Sequence, residues 1–295
     1  MGQGLRLTAN GPTAMIDATA LVKAAQGLDP LPATVARLAA LVVRPEWSLN
    51  EAAHLVEFDA ALTGRLLRLA NSAAMAGLSP VNTARDAIMR VGIGPALAFA
   101  AASGLRKELK RALPEYGLTD GQLWRHSVAS ALAVEPIARR ARKPVPPECF
   151  TAALIHDIGK IVLARFLSPE QLRWLADARD FGGLSSLQAE TDVLGVNHAE
   201  LGGQIAGQWK LPERLRNGVT FHHTPDEGDD VVCDVVYLAN IAAKRIGEGV
   251  VRGPAEVVAA PSSLARLGIT DSVWEDLLGT LPAAFDATLA QYTKD

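Results

Sequence analysis

The sequence predicts an all-α protein, and three observations carry that expectation. Apolar residues recur at helical spacing through most of the chain, as in Leu62, Leu66 and Leu69 with Arg65 and Arg68 on the opposite side. Helix-start signals delimit those runs: Ser48 with Glu51, Ser168 followed by Pro169 and Gln171, and Asn197 with Glu200 each offer a side-chain oxygen to amides that lack helical partners. No segment alternates apolar and polar residues between hairpin turns, so no sheet is expected.

In chain order, residues 1–12 lack periodicity and read as a loose terminus, and Thr13 to Gly27 reads as a first helix stopped by Gly27 and Pro30. Pro32 opens a second, Ala33 to Val43, with Val35, Leu38 and Val42 on one stripe. The Ser48 cap starts a third, which carries His54 without metal-like neighbours. Phe58 to Asn71 continues the pattern up to a loop broken by Gly77 and Pro80. Thr83 to Arg90 is helical, and the small side chains from Ala96 to Leu105 suit close helix packing. Basic runs at 107–111 and 138–143 complement the carbonyl ends of helices.

Pro114 to Asp120 reads as a joint, with Asp120 capping the helix that bears Trp124 and His126. Pro146 and Pro147 separate that helix from one expected to run unbroken through Thr151 to Lys160. Later helices begin at His198, at Pro212 and at Val231, the last behind an acidic capping loop, Asp226 to Asp230. Further helical patterns lie around Ser262 and from Asp271 to Leu278, with Trp274 packed on the body. The resulting division is 1–12, an N-terminal helical lobe at 13–115, a second lobe at 116–250 and a helical tail at 251–295.

Composition narrows the function classes. With 295 residues, 49% hydrophobic and 21% charged, the chain can bury one large core or two smaller ones. A net charge of −3 gives no overall pull towards nucleic acid or an anionic membrane, so any anion site must be local. Cys149 and Cys233 stand far apart with no paired partner, the first residues show no leader pattern, and no apolar run is long enough for a bilayer. The expected location is the cytoplasm.

The chemistry concentrates in TAALIHDIGK, Thr151 to Lys160. An imidazole followed directly by a carboxylate can hold a metal ion, with Asp157 free to bridge to a second one, and Lys160 lies one turn further on, where it can meet a phosphate. Of six histidines, His126, His156, His198, His222 and His223 all fall on or beside helical segments in one half of the chain. His198 occupies the first turn of its helix, where the positive end of the dipole favours neutral imidazole, the metal-binding form. On a helix, His222 and His223 would point about 100° apart and could serve two ions, or an ion and a phosphate.

The order of His126, His156-Asp157, His198 and His222-His223 resembles the HD superfamily of metal-dependent phosphohydrolases. The blocks LPATVARL, FDAALTGRLLRLANSA, LWRHSVASA, HAELGGQIAGQWKLPE and FHHTP, spread from about Asp29 to Lys244, look like its HDOD branch. The resemblance implies a multi-helix HD-like bundle behind an N-terminal helical lobe. It implies one or two divalent transition-metal ions, iron, manganese or zinc, held by His126, His156, Asp157, His198, His222 and His223, with Asp157 as bridge and Lys160 as phosphate contact.

The same resemblance exposes departures. Asn240 stands where a further aspartate is expected and remains a candidate ligand through its uncharged carbonyl, Gln122 stands where some HD-GYP enzymes carry a glutamate, and no Gly-Tyr-Pro follows the paired histidines. The expectation is therefore a signalling or regulatory module, without catalysis, that holds a metal and binds a partner protein or a nucleotide. The competing expectation is an active metal-dependent phosphohydrolase with Asp157 and Lys160 in the chemistry.

Overall fold

The computed structural model describes residues 20, 21, 23, 31–72, 75, 79–180, 184–251 and 253–293. The expected loose terminus lies outside the described residues, as do most of the expected first helix and part of the loop after Asn71. The described chain runs through α1 (Ala33–Val42), α2 (Leu49–Glu57), α3 (Ala60–Ala70), α4 (Ala84–Val91) and α5 (Ile93–Leu109), then a 3-10 turn at Pro114–Tyr116. It continues with α6 (Gln122–Arg140), α7 (Glu148–Ile155), α8 (Ile158–Phe166), α9 (Pro169–Asp180) and α10 (Ser186–Leu194). After these come α11 (His198–Gln208), α12 (Glu213–Thr220), α13 (Val231–Arg245), a 3-10 turn at Pro254–Val257, α14 (Pro261–Leu267) and α15 (Asp271–Thr293).

Among the described residues the protein is all-α, with one isolated bridge between Leu113 and Leu118 at the joint. The helix starts follow the sequence signals. Ser48 and Glu51 form the reciprocal capping box, Ser168 and Gln171 exchange the same pair of bonds, and Asn197 accepts from the amides of Ala199 and Glu200. Asp120 departs from expectation. Its carboxylate accepts from the amide of Ala112, and the residue preceding α6 is Gly121, with φ +78° and no side chain to cap with. The last helix also runs well past Leu278, through Pro282.

The apolar stripes meet in one connected core that reaches from Leu21 to Leu289. The long helix α6 packs against α7, α13 and α15, while α11 packs against α8 and α12. Those two bundles supply every candidate ligand. Trp274 is buried against this body as expected. Among the described residues no single helix is long and apolar enough to cross a membrane.

Candidate metal centre

The expected unbroken helix over Thr151 to Lys160 is in fact two helices, α7 ending at Ile155 and α8 beginning at Ile158, with His156 and Asp157 at the junction. On a regular helix neighbouring side chains diverge by about 100°. Here Asp157 turns to φ −95°, ψ 9°, and both side chains reach the same centre. Gly159 lets α8 approach α11 closely, because a Cβ at that position would overlap the carbonyl of His198 at the start of α11. The backbone of α8 is thereby seated directly on the first turn of α11.

His222 and His223 also lie beyond a helix end, in the turn after α12, with ring centroids 4.2 Å apart. His126 comes from the first two turns of α6 and Asn240 from the middle of α13. His126, His156, Asp157, His198, His222 and Asn240 are all buried. His54 stays apart, exposed on α2 against Phe58.

The ring nitrogens are sorted by their outer partners. Nδ1 of His126 lies 2.7 Å from the Glu248 carbonyl, that of His156 2.7 Å from the Ala153 carbonyl, and that of His222 2.6 Å from the Val219 carbonyl. A ring nitrogen against a carbonyl must carry the hydrogen, so Nε2 of each neutral ring is a bare lone pair facing inwards. Nδ1 of His198 faces the Glu190 carboxylate at 2.6 Å, and Glu190 also accepts from the His198 amide and from the Tyr116 hydroxyl. Such outer partners fix ring orientation at metal sites.

The inward atoms form two groups that share one carboxylate. Oδ2 of Asp157 lies 3.6 Å from Nε2 of His126 and 3.5 Å from Nε2 of His156, while those two nitrogens are 3.1 Å apart. Oδ1 lies 3.3 Å from Nε2 of His198 and 3.7 Å from Nε2 of His222, and Nε2 of His223 is 3.1 Å from that of His198. Each group brings its donor atoms within 4.8 Å of one another. The bare Nε2 atoms of His126 and His156, so close together, repel unless a cation lies between them. Oδ1 of Asp157, Nε2 of His222 and Oδ1 of Asn240 are buried without a hydrogen-bond partner, which is costly unless something electropositive meets them. The residues present therefore fit a metal ion.

The electrostatics agree. Burial, then the neighbouring His156, lowers His126 to about 3, and burial likewise pushes down His156, His222 and His223. All four are kept neutral, as ligation requires. Burial also opposes charge on His198, but the Glu190 carboxylate outweighs it and raises that ring. Asp157 is driven well below the usual carboxylate range: burial works against its charge, but Lys160 and the surrounding imidazoles prevail. Lys160 donates to Oδ2 of Asp157 at 2.7 Å.

A cavity of about 330 Å³ opens onto this centre, lined by His126, Asp157, Lys160, His198, His223 and Asn240 among others. Gln122 does not reach it. That side chain is exposed, its oxygen accepting from the amide of Thr119 at 2.7 Å. The sequence reading missed Glu190, Tyr116, Lys244 and the strap around Glu248. Glu248 acts twice: its carbonyl holds His126, and its carboxylate is gripped by Arg125, whose guanidinium stacks over Phe285 of α15 at 5.5 Å. One signal was available for Glu190, an acid two turns before His198, but Asp192 beside it offers the same pattern and nothing local singles out either.

Comparison with known proteins fits this arrangement. An uncharacterised protein of Treponema pallidum (strain Nichols) is 24% identical over 212 residues, 70% of this chain and 40% of the relative. A structure from Marinobacter aquaeolei VT8, named for a provisional signal-transduction role, superposes with a TM-score of 0.72 at 20% identity, covering 92% of this chain and 60% of that one. A structure from Shewanella amazonensis SB2B, named as a provisional phosphohydrolase, gives a TM-score of 0.64 at 23% identity, covering 93% of this chain and 98% of that one. The chain thus spans less than two thirds of the length of the first two. The family model for the HDOD domain matches residues 28–225, two thirds of the sequence and every candidate ligand but Asn240, and the chain belongs to the HDOD family.

Proposed function

We propose that the protein is a regulatory HDOD module that holds one or two divalent transition-metal ions and uses the cavity above them to bind a small phosphorylated ligand, without turning it over. The observation that carries this reading is the pair of nitrogen groups sharing the two oxygens of Asp157, with the outer nitrogens of His126, His156, His198 and His222 already committed. When bound, a metal would supply Lewis acidity and a fixed positive charge at this point. The chain's own residues orient the rings and place Lys160 at the rim of the cavity.

The reading against turnover rests on proton handling. Among the described residues that line the cavity, Asp157 is committed to the centre and Glu256 is paired with Lys244, so no uncommitted carboxylate is placed to take a proton. Asn240 is uncharged and Gln122 points away. The second reading, a metal-dependent phosphohydrolase acting on a nucleotide or another phosphoester, draws support from the open cavity over Asp157 and Lys160.

Elemental analysis of protein purified without chelator, followed by a panel of phosphoesters presented to the loaded protein, tests both. The expected result is close to stoichiometric metal and no turnover. Less than about a tenth of an equivalent, with no uptake of Fe(II), Mn(II) or Zn(II), overturns the metal reading. Robust hydrolysis replaces the regulatory reading with the enzymatic one. Asn240→Asp should tighten metal retention by adding a charged donor, without creating robust turnover.

A further inference from the structure

Lys244 stands one turn beyond Asn240 on α13, and its ammonium faces the same cavity as Lys160. Its side chain is only 12% exposed, yet among the described residues its single hydrogen-bond partner is Glu256, at 3.2 Å. An ammonium carries three donors, so two are left over in a place where burial makes unmet charge expensive. Glu256 sits on the 3-10 turn at Pro254–Val257 and is itself a wall of the cavity. The charged groups lining the cavity are thus Asp157 and Glu256 against Lys160 and Lys244, two negative and two positive, before any ion is added. Each divalent ion then adds two positive charges, and a loaded cavity requires an anion to balance it.

We propose that Lys244 is a second anion contact, that Glu256 is a latch occupying it when the cavity is free of ligand, and that the ligand carries two phosphoryl groups, one over the metal centre and Lys160 and the other displacing Glu256 from Lys244. This rests on the regulatory metal reading above and names the ligand class for the same cavity. A volume of about 330 Å³ limits that ligand to a small one, since it lies at the lower end of ordinary ligand pockets. The competing account makes Lys244 and Glu256 a staple that ties the 3-10 turn to α13. The two accounts differ in sign: removing the latch charge frees Lys244 for a ligand, whereas removing one half of a staple only loosens the wall.

Calorimetric titration of the full, metal-loaded chain with inorganic phosphate and with pyrophosphate decides between them, with metal content measured on every sample. The wild type should bind pyrophosphate about tenfold more tightly than phosphate, since one additional charge-assisted contact is worth at least that much. Lys244→Met should erase that preference at unchanged metal content, and Glu256→Gln should tighten pyrophosphate several-fold. Weaker pyrophosphate binding in both variants, or no change in either, overturns the proposal. If Lys244→Met does not fold, Glu256→Gln decides alone: tightening supports the latch, and unchanged affinity removes it. If the wild type holds no metal the regulatory metal reading fails, but the latch is still judged on the metal-free chain, where the same signs are expected from Lys160 and Lys244. Competition by a nucleoside diphosphate identifies a nucleotide as the source of the two groups, and competition by a sugar bisphosphate alone identifies a sugar. Absence of competition by every two-phosphoryl compound overturns the assignment.

Discussion

Residues 31–113 fill their interior with side chains such as Val35, Leu38, Leu62, Leu66, Ile88 and Leu97, and the polar residues buried there are Ser72 and Glu108. Residues 114–250 bury His126, Glu148, His156, Asp157, Arg179, Glu190, Asn197, His198, His222, Asp234 and Asn240, besides several hydroxyls. Both regions are helical and share one continuous core. The first is held by removal of apolar surface from water, a contribution that needs no bound ion. The second encloses titratable groups and lone pairs, with Oδ1 of Asp157, Nε2 of His222 and Oδ1 of Asn240 lacking hydrogen-bond partners, and a cation bound there would add stability by mass action.

That contrast can be broken most directly by paired substitutions. Leu66→Ala should cost about 2–5 kcal/mol through lost burial and a residual cavity, by the same amount with or without chelator. Asp157→Ala should abolish metal retention and remove the metal-dependent share of stability, about 4 kcal/mol when free metal exceeds its dissociation constant a thousandfold. Chemical denaturation of each variant, with and without chelator, checks both. Chelator-sensitive loss in Leu66→Ala, or none in wild type, would erase the distinction.

A smaller effect tests the outer layer of the second region. Glu190→Gln removes the carboxylate that holds Nδ1 of His198 and should weaken metal affinity by about 10–100-fold. Competition with a chromophoric chelator measures it, and an unchanged affinity would show that Glu190 merely fills space.

The metal-free protein should respond to pH with a definite sign. His126, His156, His222 and His223 have folded pKa values below the unfolded value near 6.5, so the unfolded chain binds more protons once pH falls below that value. Stability is therefore lost as pH drops from about 6.5 towards about 3, the value for His126, by at most about 1.4 kcal/mol per pH unit for each histidine. His198, whose pKa is raised, acts oppositely: its contribution is present at low pH and fades as pH rises through its folded value. Urea titrations of chelated protein between pH 4 and pH 8 should show the net loss on acidification. The smallest effect belongs to His54→Ala, which should leave metal content unchanged and shift stability by less than about 0.5 kcal/mol, as expected at an exposed position.

Much of this architecture was legible because local chemistry dictated it. Ser48, Ser168 and Asn197 cap where their spacing required, and Val35, Leu38 and Val42 point inwards as their stripe required. His126, His156, Asp157, His198, His222 and His223 do converge, but convergence followed from resemblance and not from spacing. Local pattern could not reveal that the HD pair sits at a helix break, because a run as apolar as TAALI extends equally well through His156. Gln122 and Asp120 failed for a related reason: each had a local backbone amide within reach, Thr119 and Ala112, and took it. Glu190, Lys244 and Glu248 were invisible because their roles exist only once distant helices meet.

The contact of Gly159 with the His198 carbonyl sets a tolerance. Ligands carried on separate, loosely abutting helices would hold their spacing only as well as side-chain rotamers permit, and one rotamer change moves a donor by several ångströms. Here the segment that carries His156 and Asp157 bears on the segment that carries His198 main chain to main chain, with nothing compressible between them. The distance between the two nitrogen groups is thus gauged by hard peptide surfaces, and constellations of ligands in general tolerate only about 0.5 Å of error. Gly159→Ala would act as a shim of one methyl group, widening the gauge for both groups at once while leaving every ligand in the chain.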